Sequence, residues 1–172
     1  MVLVDSSIWI EASRRTGSLE VKVGLEGLLE EYEATLCSPV MLEVLGGARK
    51  EERKMLNTDF SCLPYVRVTE DDYVAAARHN WRLQDAGITA PANDVLIATI
   101  AVRLLCRVYA QDKHFDAMAP LLGLTLYKPS YGGSFREDGS LARDFPFWER
   151  TRSSGNRRRH DDRKDVTRWL PA

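Results

Sequence analysis

Two hydrophobic periods alternate along the chain. It opens on Val2-Leu3-Val4, a short β-branched run that stops at Asp5-Ser6-Ser7, which are capping residues ahead of Ile8-Trp9-Ile10-Glu11-Ala12. This predicts strand, turn and helix. Over 18–32, Val21, Leu25, Leu28, Leu29 and Tyr32 form one helical stripe, slightly weakened by Gly24 and Gly27. A brief strand over 34–37 follows. Ser38-Pro39 then caps and starts a helix carrying Met41, Val44, Leu45 and Ala48 on one side, which is expected to run on into the charged stretch 49–54.

The pattern repeats downstream. Tyr65-Val66-Arg67-Val68 predicts a third strand, and Thr69 with Asp72 three residues later resembles a capping box opening a helix through Tyr73, Ala77 and Trp81, ended by Gly87. Asn93 and Asp94 precede a strongly apolar helix with Ile97, Ile100, Ala101 and Leu104 in register. A fourth strand over 107–110, a short helix with Met118, Leu121 and Leu122, and a fifth strand over 124–127 closed by Pro129 complete the periodic region. Short strands alternating with helices predict parallel βαβ units, hence an α/β fold: a three-layer α/β/α sandwich around a mainly parallel sheet of about five strands. From Ser130 onward no period is found, so the expected organisation is one domain over 1–129 and a polar, arginine-rich extension over 130–172 whose composition is compatible with disorder.

Composition narrows the classes. At 172 residues the chain fits one domain with an appendage, and 44% hydrophobic against 28% charged residues suits a buried core rather than a disordered or collagenous chain. The formal charge of -1 provides no chain-wide basic field; the extension holds ten Arg and Lys against seven Asp and Glu, so it is +3 and the body -4. Nucleic-acid binding would therefore need local patches. Cys37, Cys62 and Cys106 are odd in number and widely spaced, which excludes a disulfide scaffold or zinc module. The first residues lack a basic, apolar leader, and no uncharged run approaches the roughly 18 residues of a membrane span, so a cytoplasmic protein with no membrane segment is expected.

Four acids stand where a plain core does not need them. Asp5 and Asp112 each follow a strand, and the carboxyl ends of strands in an open parallel sheet are where ligand sites form. Glu43 interrupts an apolar helical turn, and Asp94 stands at the start of the most apolar helix. Taken singly, each has a bland explanation as a helix cap, a turn residue or part of a solvated face. If the four met at one sheet edge they would either take up protons or bind a metal, because two carboxylates about 4 Å apart repel by about 4 kcal/mol at an effective dielectric near 20. An oxygen-only ligand set favours Mg2+ or Mn2+ over zinc. Spacing alone does not bring the four together.

The same residues resemble a known family, the PIN-domain ribonucleases, and among them the VapC-type toxins of type II toxin-antitoxin systems. Val2-Leu3-Val4-Asp5-Ser6-Ser7-Ile8-Trp9-Ile10 looks like the family's opening strand, first acid, hydroxyl residue and helix start. Glu43-Val44-Leu45-Gly46-Gly47 is similar to its E-x-x-x-G element, Asn93-Asp94-Val95-Leu96-Ile97-Ala98 to its N-D-x-x-I-A helix start, and Gln111-Asp112-Lys113-His114-Phe115 to its late acidic loop. The resemblance spans about residues 1–129. It departs at Gln111, near a position where members often carry Thr or Ser, and this leaves Asp116 as a rival to Asp112.

The resemblance implies a PIN-like fold and a metal-dependent endoribonuclease. In that reading Asp5, Glu43, Asp94 and Asp112 hold one or two Mg2+ or Mn2+ ions, which activate water for in-line attack on an RNA phosphodiester. It also implies an antitoxin partner that covers the acids with a basic side chain, and a homodimer formed through apolar helix faces. Arg14, Arg15, Arg49, Lys50, Arg53, Lys54 and the tail's Arg157-Arg158-Arg159 are available for phosphates, and Trp148 and Trp169 for stacking. His114 could serve as a general acid and Ser6 could orient a carboxylate, although each also suits an ordinary loop or cap role. Protease, phosphate-loop, receiver-domain and dehalogenase-type phosphatase readings all lack their motifs. The competing reading is a non-catalytic α/β module that binds protein or RNA, with its acids serving as helix caps.

Overall fold

The computed structural model describes residues 1–129. The chain runs β1 (Val2–Val4), α1 (Ser6–Ser13), α2 (Leu19–Glu30), β2 (Ala34–Cys37), α3 (Ser38–Gly47), α4 (Arg53–Ser61), β3 (Tyr65–Val66), α5 (Glu70–Asp85), α6 (Ala92–Leu104), β4 (Arg107–Tyr109), α7 (Lys113–Leu122) and β5 (Thr125–Leu126). The extension over 130–172, with its arginines and tryptophans, lies outside the described residues. No helix among the described residues is long and apolar enough to cross a membrane.

The strands form one parallel sheet in the order β3-β2-β1-β4-β5. The chain builds outward from β1 through β2 to β3, then returns to β1's other side for β4 and β5. Because crossovers between parallel strands are right-handed, this reversal sends the helices of the first half to one face and those of the second half to the other. Accordingly α1 packs on α2 and α3, and α3 on α4, while α5, α6 and α7 pack on one another. β1 lies at the centre, with Val2, Leu3 and Val4 buried, which is why its three residues are apolar without alternation.

Local signals hold where the interaction is local. The capping box forms as expected: Thr69 Oγ1 accepts from the Asp72 backbone N–H, and Asp72 Oδ2 accepts from the Thr69 backbone N–H. Asp72 has a second task. It is 1% exposed and receives Nε and Nη2 of Arg103 on α6 at 2.6 and 3.1 Å, tying α5 to α6.

Two expectations are corrected. The helix starting at Ser38 stops at Gly47 instead of running through the charged stretch. Ala48 is extended and buried, and a new helix starts at Arg53. Two consecutive glycines cost the helix about 1 kcal/mol each relative to alanine, and burying Ala48 turns the chain inward at that weak point. The apolar helix starts at Ala92 after Pro91, so Asn93 and Asp94 sit inside its first turn rather than before it. On α5, Tyr73 and Trp81 face outward, 59% and 63% exposed, while Asp72, Ala76 and Leu83 face the core.

Burial alone would raise the Asp72 carboxyl, but the Thr69 backbone N–H, the Arg103 guanidinium and the Thr69 hydroxyl outweigh it and hold it below the usual range. A depressed carboxylate stabilises the fold above its unfolded value and loses that contribution as pH falls through the folded value. Asp72→Ala removes a cap and Arg103's partner, and Arg103 is half-exposed, so urea denaturation at pH 7 should show a loss of about 1–2 kcal/mol. The variant's stability should also fall less steeply than wild type on acidification below pH 5.

Candidate active site

The reversal in strand order lies between β1 and β4, and two of the acids stand at its carboxyl edge. Asp5 directly follows β1, and its backbone N–H donates to the Tyr109 carbonyl at 2.9 Å, extending the β1–β4 pairing by one residue. Its carboxylate is 1% exposed. Oδ2 accepts from the Ser7 backbone N–H at 2.9 Å and from Ser7 Oγ at 2.6 Å, so Asp5 does cap α1. Ser7 Oγ in turn accepts from the Gln111 backbone N–H at 3.1 Å. That hydroxyl joins the loop after β1 to the loop after β4, which carries Asp112 at the head of α7. Asp112 is exposed, and its side chain makes no capping bond.

The other two acids arrive on helices. Glu43, on α3, is held at both oxygens: Ser6 Oγ donates to Oε2, and Asn93 Nδ2 donates to Oε1 at 2.5 Å. This bridges α1, α3 and α6. Asp94, in the first turn of α6, is buried, and its Oδ2 lies 3.0 Å from His114 Nδ1 on α7. Asp116 stands apart. It is exposed and lies 3.8 Å from Lys128 Nζ.

The acids share one field. Burial raises the Asp5 carboxyl against the bonds from Ser7, with Asp112 and Glu43 adding to the rise. Burial and the Asp5 charge push Asp94 up to about 6 despite the His114 bond, and Asp112 adds to that too. Each of the four therefore raises, or is raised by, another. Among the described residues, however, no three His, Cys, Asp or Glu side chains form a ready-made ion cage. Ser7, Ser6, Asn93 and His114 supply the donors that hold Asp5, Glu43 and Asp94. As a donor set, desolvated carboxylate oxygens without thiolates suit a hard divalent cation.

Sequence reasoning found the holding residues in part: it named Ser6 as able to orient a carboxylate, and His114 only as a general acid. Of the two roles offered for Ser6 the structure shows the carboxylate contact, to Glu43, and leaves the cap to Asp5, while Ser7 and Asn93 had no assigned part in the site. The only available signal was adjacency, a hydroxyl or amide next to each acid in Asp5-Ser6-Ser7 and Asn93-Asp94.

Beside the acids, a groove of about 190 Å3 runs between α1, α3 and α4, lined by Trp9, Ile10, Val44, Leu56 and Phe60 with Glu43 at its edge. Trp9 Nε1 donates to the Val4 carbonyl at 3.2 Å, and its ring meets Phe60 edge-on with centroids 5.0 Å apart, so the groove floor is fixed.

No family model matches the chain. Curated relatives do, among them the VapC ribonuclease Mb1587 of Mycobacterium bovis and ribonuclease VapC11 of Mycobacterium tuberculosis. Each is 35% identical over 129 residues, covering 72% of this chain and 96% of the relative. Among solved structures, FitAcB from Neisseria gonorrhoeae is similar in fold with a TM-score of 0.61 at 18% identity, covering 74% of this chain and 97% of that one. VapBC2 from Rickettsia felis, bound to a promoter DNA fragment, gives 0.60 at 20% identity, covering 74% and 98%. A toxin-antitoxin complex from Klebsiella pneumoniae gives 0.55 at 17% identity, covering 67% and 90%.

A carboxyl raised by the fold opposes folding when ionised; its contribution is most favourable below the unfolded value and is lost as pH rises through about 6. Asp94→Asn should therefore raise the melting temperature of chelator-treated protein at pH 7.5 by about 2–4 °C, equivalent to about 1 kcal/mol for a chain of this size. The gain should disappear at pH 4, as read by circular dichroism.

Proposed function

The chain belongs to the VapC ribonuclease family, and from that premise we propose that it is the endoribonuclease toxin of a toxin-antitoxin pair, with Asp5, Glu43, Asp94 and Asp112 holding Mg2+ or Mn2+ to hydrolyse RNA phosphodiesters. The observation that carries this reading is the set of hydrogen bonds at the sheet's switch point that links the segments bearing the acids: Ser6 beside Asp5 and Asn93 beside Asp94 both bond Glu43, and Ser7 bonds the backbone of Gln111 beside Asp112. A cluster that resists its own ionisation gains from a cation. When bound, such an ion lowers the pKa of water and offsets charge on a phosphate undergoing in-line displacement.

The chain's own residues supply the rest. Ser7 fixes Asp5 and keeps the Asp112 loop beside it, while Ser6 and Asn93 clamp Glu43 from two helices. Carboxylates already fixed need little rearrangement as charge develops. Arg49, Lys50 and Lys54 lie exposed in and just after the turn that follows α3 and suit the RNA backbone, whereas Arg14 is paired with Glu11 at 2.9 Å. The helix-cap alternative accounts for Asp5 alone: Glu43 lies in mid-helix, Asp94 is past the cap position, and Asp112 makes no cap bond.

The groove between α1, α3 and α4 fits the antitoxin. Its apolar floor takes an amphipathic segment, and Glu43 at its edge takes a basic side chain. A toxin-antitoxin complex among the structural neighbours supports a partner of this kind. Self-association would use the outward face of α5, where Tyr73, Val74 and Trp81 are exposed, in a cytoplasmic homodimer.

The purified full-length chain should cleave RNA with Mn2+ or Mg2+, stop on chelation and recover when the ion is returned. Asp5→Asn and Asp94→Asn should each lower kcat at least about 100-fold while still melting cooperatively. Wild-type cleavage by Asp94→Asn would end this reading. Leu56→Glu should weaken capture of the cognate antitoxin about 10-fold or more and leave RNA cleavage intact.

A further inference from the structure

We propose that His114 is a positioning residue, which orients the Asp94 carboxylate for the divalent ion through a hydrogen bond from Nδ1; this rests on the ion site proposed above. With Asp94 ionised, its oxygens can only accept, so Nδ1 is the donor of this bond. The bond, 3.0 Å long, crosses from α7 to α6 and joins side chains 45% and 12% exposed.

The surrounding structure holds His114 in place. Its neighbour Phe115 is 1% exposed and its backbone N–H donates to the Asp112 carbonyl at 3.1 Å, while Met118 one turn later is fully buried. These contacts pin the first turn of α7 to the core and leave His114 on the side that meets Asp94. The bond occupies Asp94 Oδ2. Oδ1 makes no hydrogen bond among the described residues, so one oxygen is fixed and the other remains available to an ion. Asp5 and Glu43 already have comparable holders in Ser7, Ser6 and Asn93. Without His114, Asp94 alone among the three buried or half-buried acids would be free to rotate.

A ligand's hydrogen-bonding partner typically changes metal affinity 10–100-fold. Geometry also predicts which replacement succeeds: the Asn side-chain amide nitrogen stands near where His Nδ1 was, whereas that of Gln lies one bond further out.

Mn2+ titration calorimetry on the full-length chain tests this with four variants. His114→Ala should weaken Mn2+ binding by about 10–100-fold. His114→Asn should return it to within a few-fold of wild type, and His114→Gln should not. RNA cleavage at saturating Mn2+ should show a much smaller loss, with the KM for RNA unchanged. Wild-type Mn2+ affinity in His114→Ala, alongside weakened binding in Asp94→Asn, would overturn the role of His114 and leave the ion site standing. Equal losses in the Ala and Asn variants would overturn it too. Wild-type affinity in Asp94→Asn would overturn the ion site, and the role of His114 with it. Melting curves of the metal-free variants, expected to stay cooperative, separate these outcomes from misfolding.

Discussion

The hydrogen bond from the Asp5 backbone N–H to the Tyr109 carbonyl is where the fold and the site become one constraint. β1 is buried on both faces and pairs with β2 on one side and β4 on the other, so its carboxyl end lies where successive crossovers leave in opposite directions. Neither half of the chain can cover that point with its own helices, and a crevice results. The residue after β1 and the loop after β4 must then border the same space. In this chain they carry Asp5 and Asp112.

Filling that space with negative charge works against stability. Burial and mutual repulsion raise two carboxyls, one to about 6. What the fold does in response is visible in the donors: hydroxyls on Asp5 and Glu43, an amide on Glu43 and an imidazole on Asp94. These are mostly neutral groups. A lysine or arginine among the acids would neutralise them more fully and stabilise the fold, but it would also fill the space between them. The site is thus held in shape without being discharged, a pattern expected where stability gives way to function.

How much of this was legible follows from the range of each interaction. The apolar run of β1 and the capping box at Thr69 and Asp72 depend on neighbours within a few residues, and their patterns were readable directly. The break after Gly47 was misread because a helical period continued into the charges; what ended the helix was the burial of Ala48, a tertiary fact. Tyr73 and Trp81 followed a helical stripe, yet that stripe faces outward, since periodicity marks a face without saying what covers it. The Ser6 and Asn93 bonds to Glu43 span 37 and 50 residues. No spacing rule reaches that far. For the acids, a resemblance to a family stood in for information that local pattern does not hold.

In the proposed reading Glu43 also connects chemistry to control. It belongs to the acidic site through its bonds from Ser6 and Asn93, and to the apolar groove as one of its lining residues. A segment lying along Trp9, Val44 and Leu56 would reach Glu43 at the end of its own footprint. Its apolar contacts would supply affinity, and a basic group at its tip would meet the acids. Inhibition then requires no change of conformation, because occupying the groove and neutralising the site are one event. The fixed groove floor suits that logic: Trp9 is tied to the β1 backbone and packed on Phe60, so a partner meets a surface already formed.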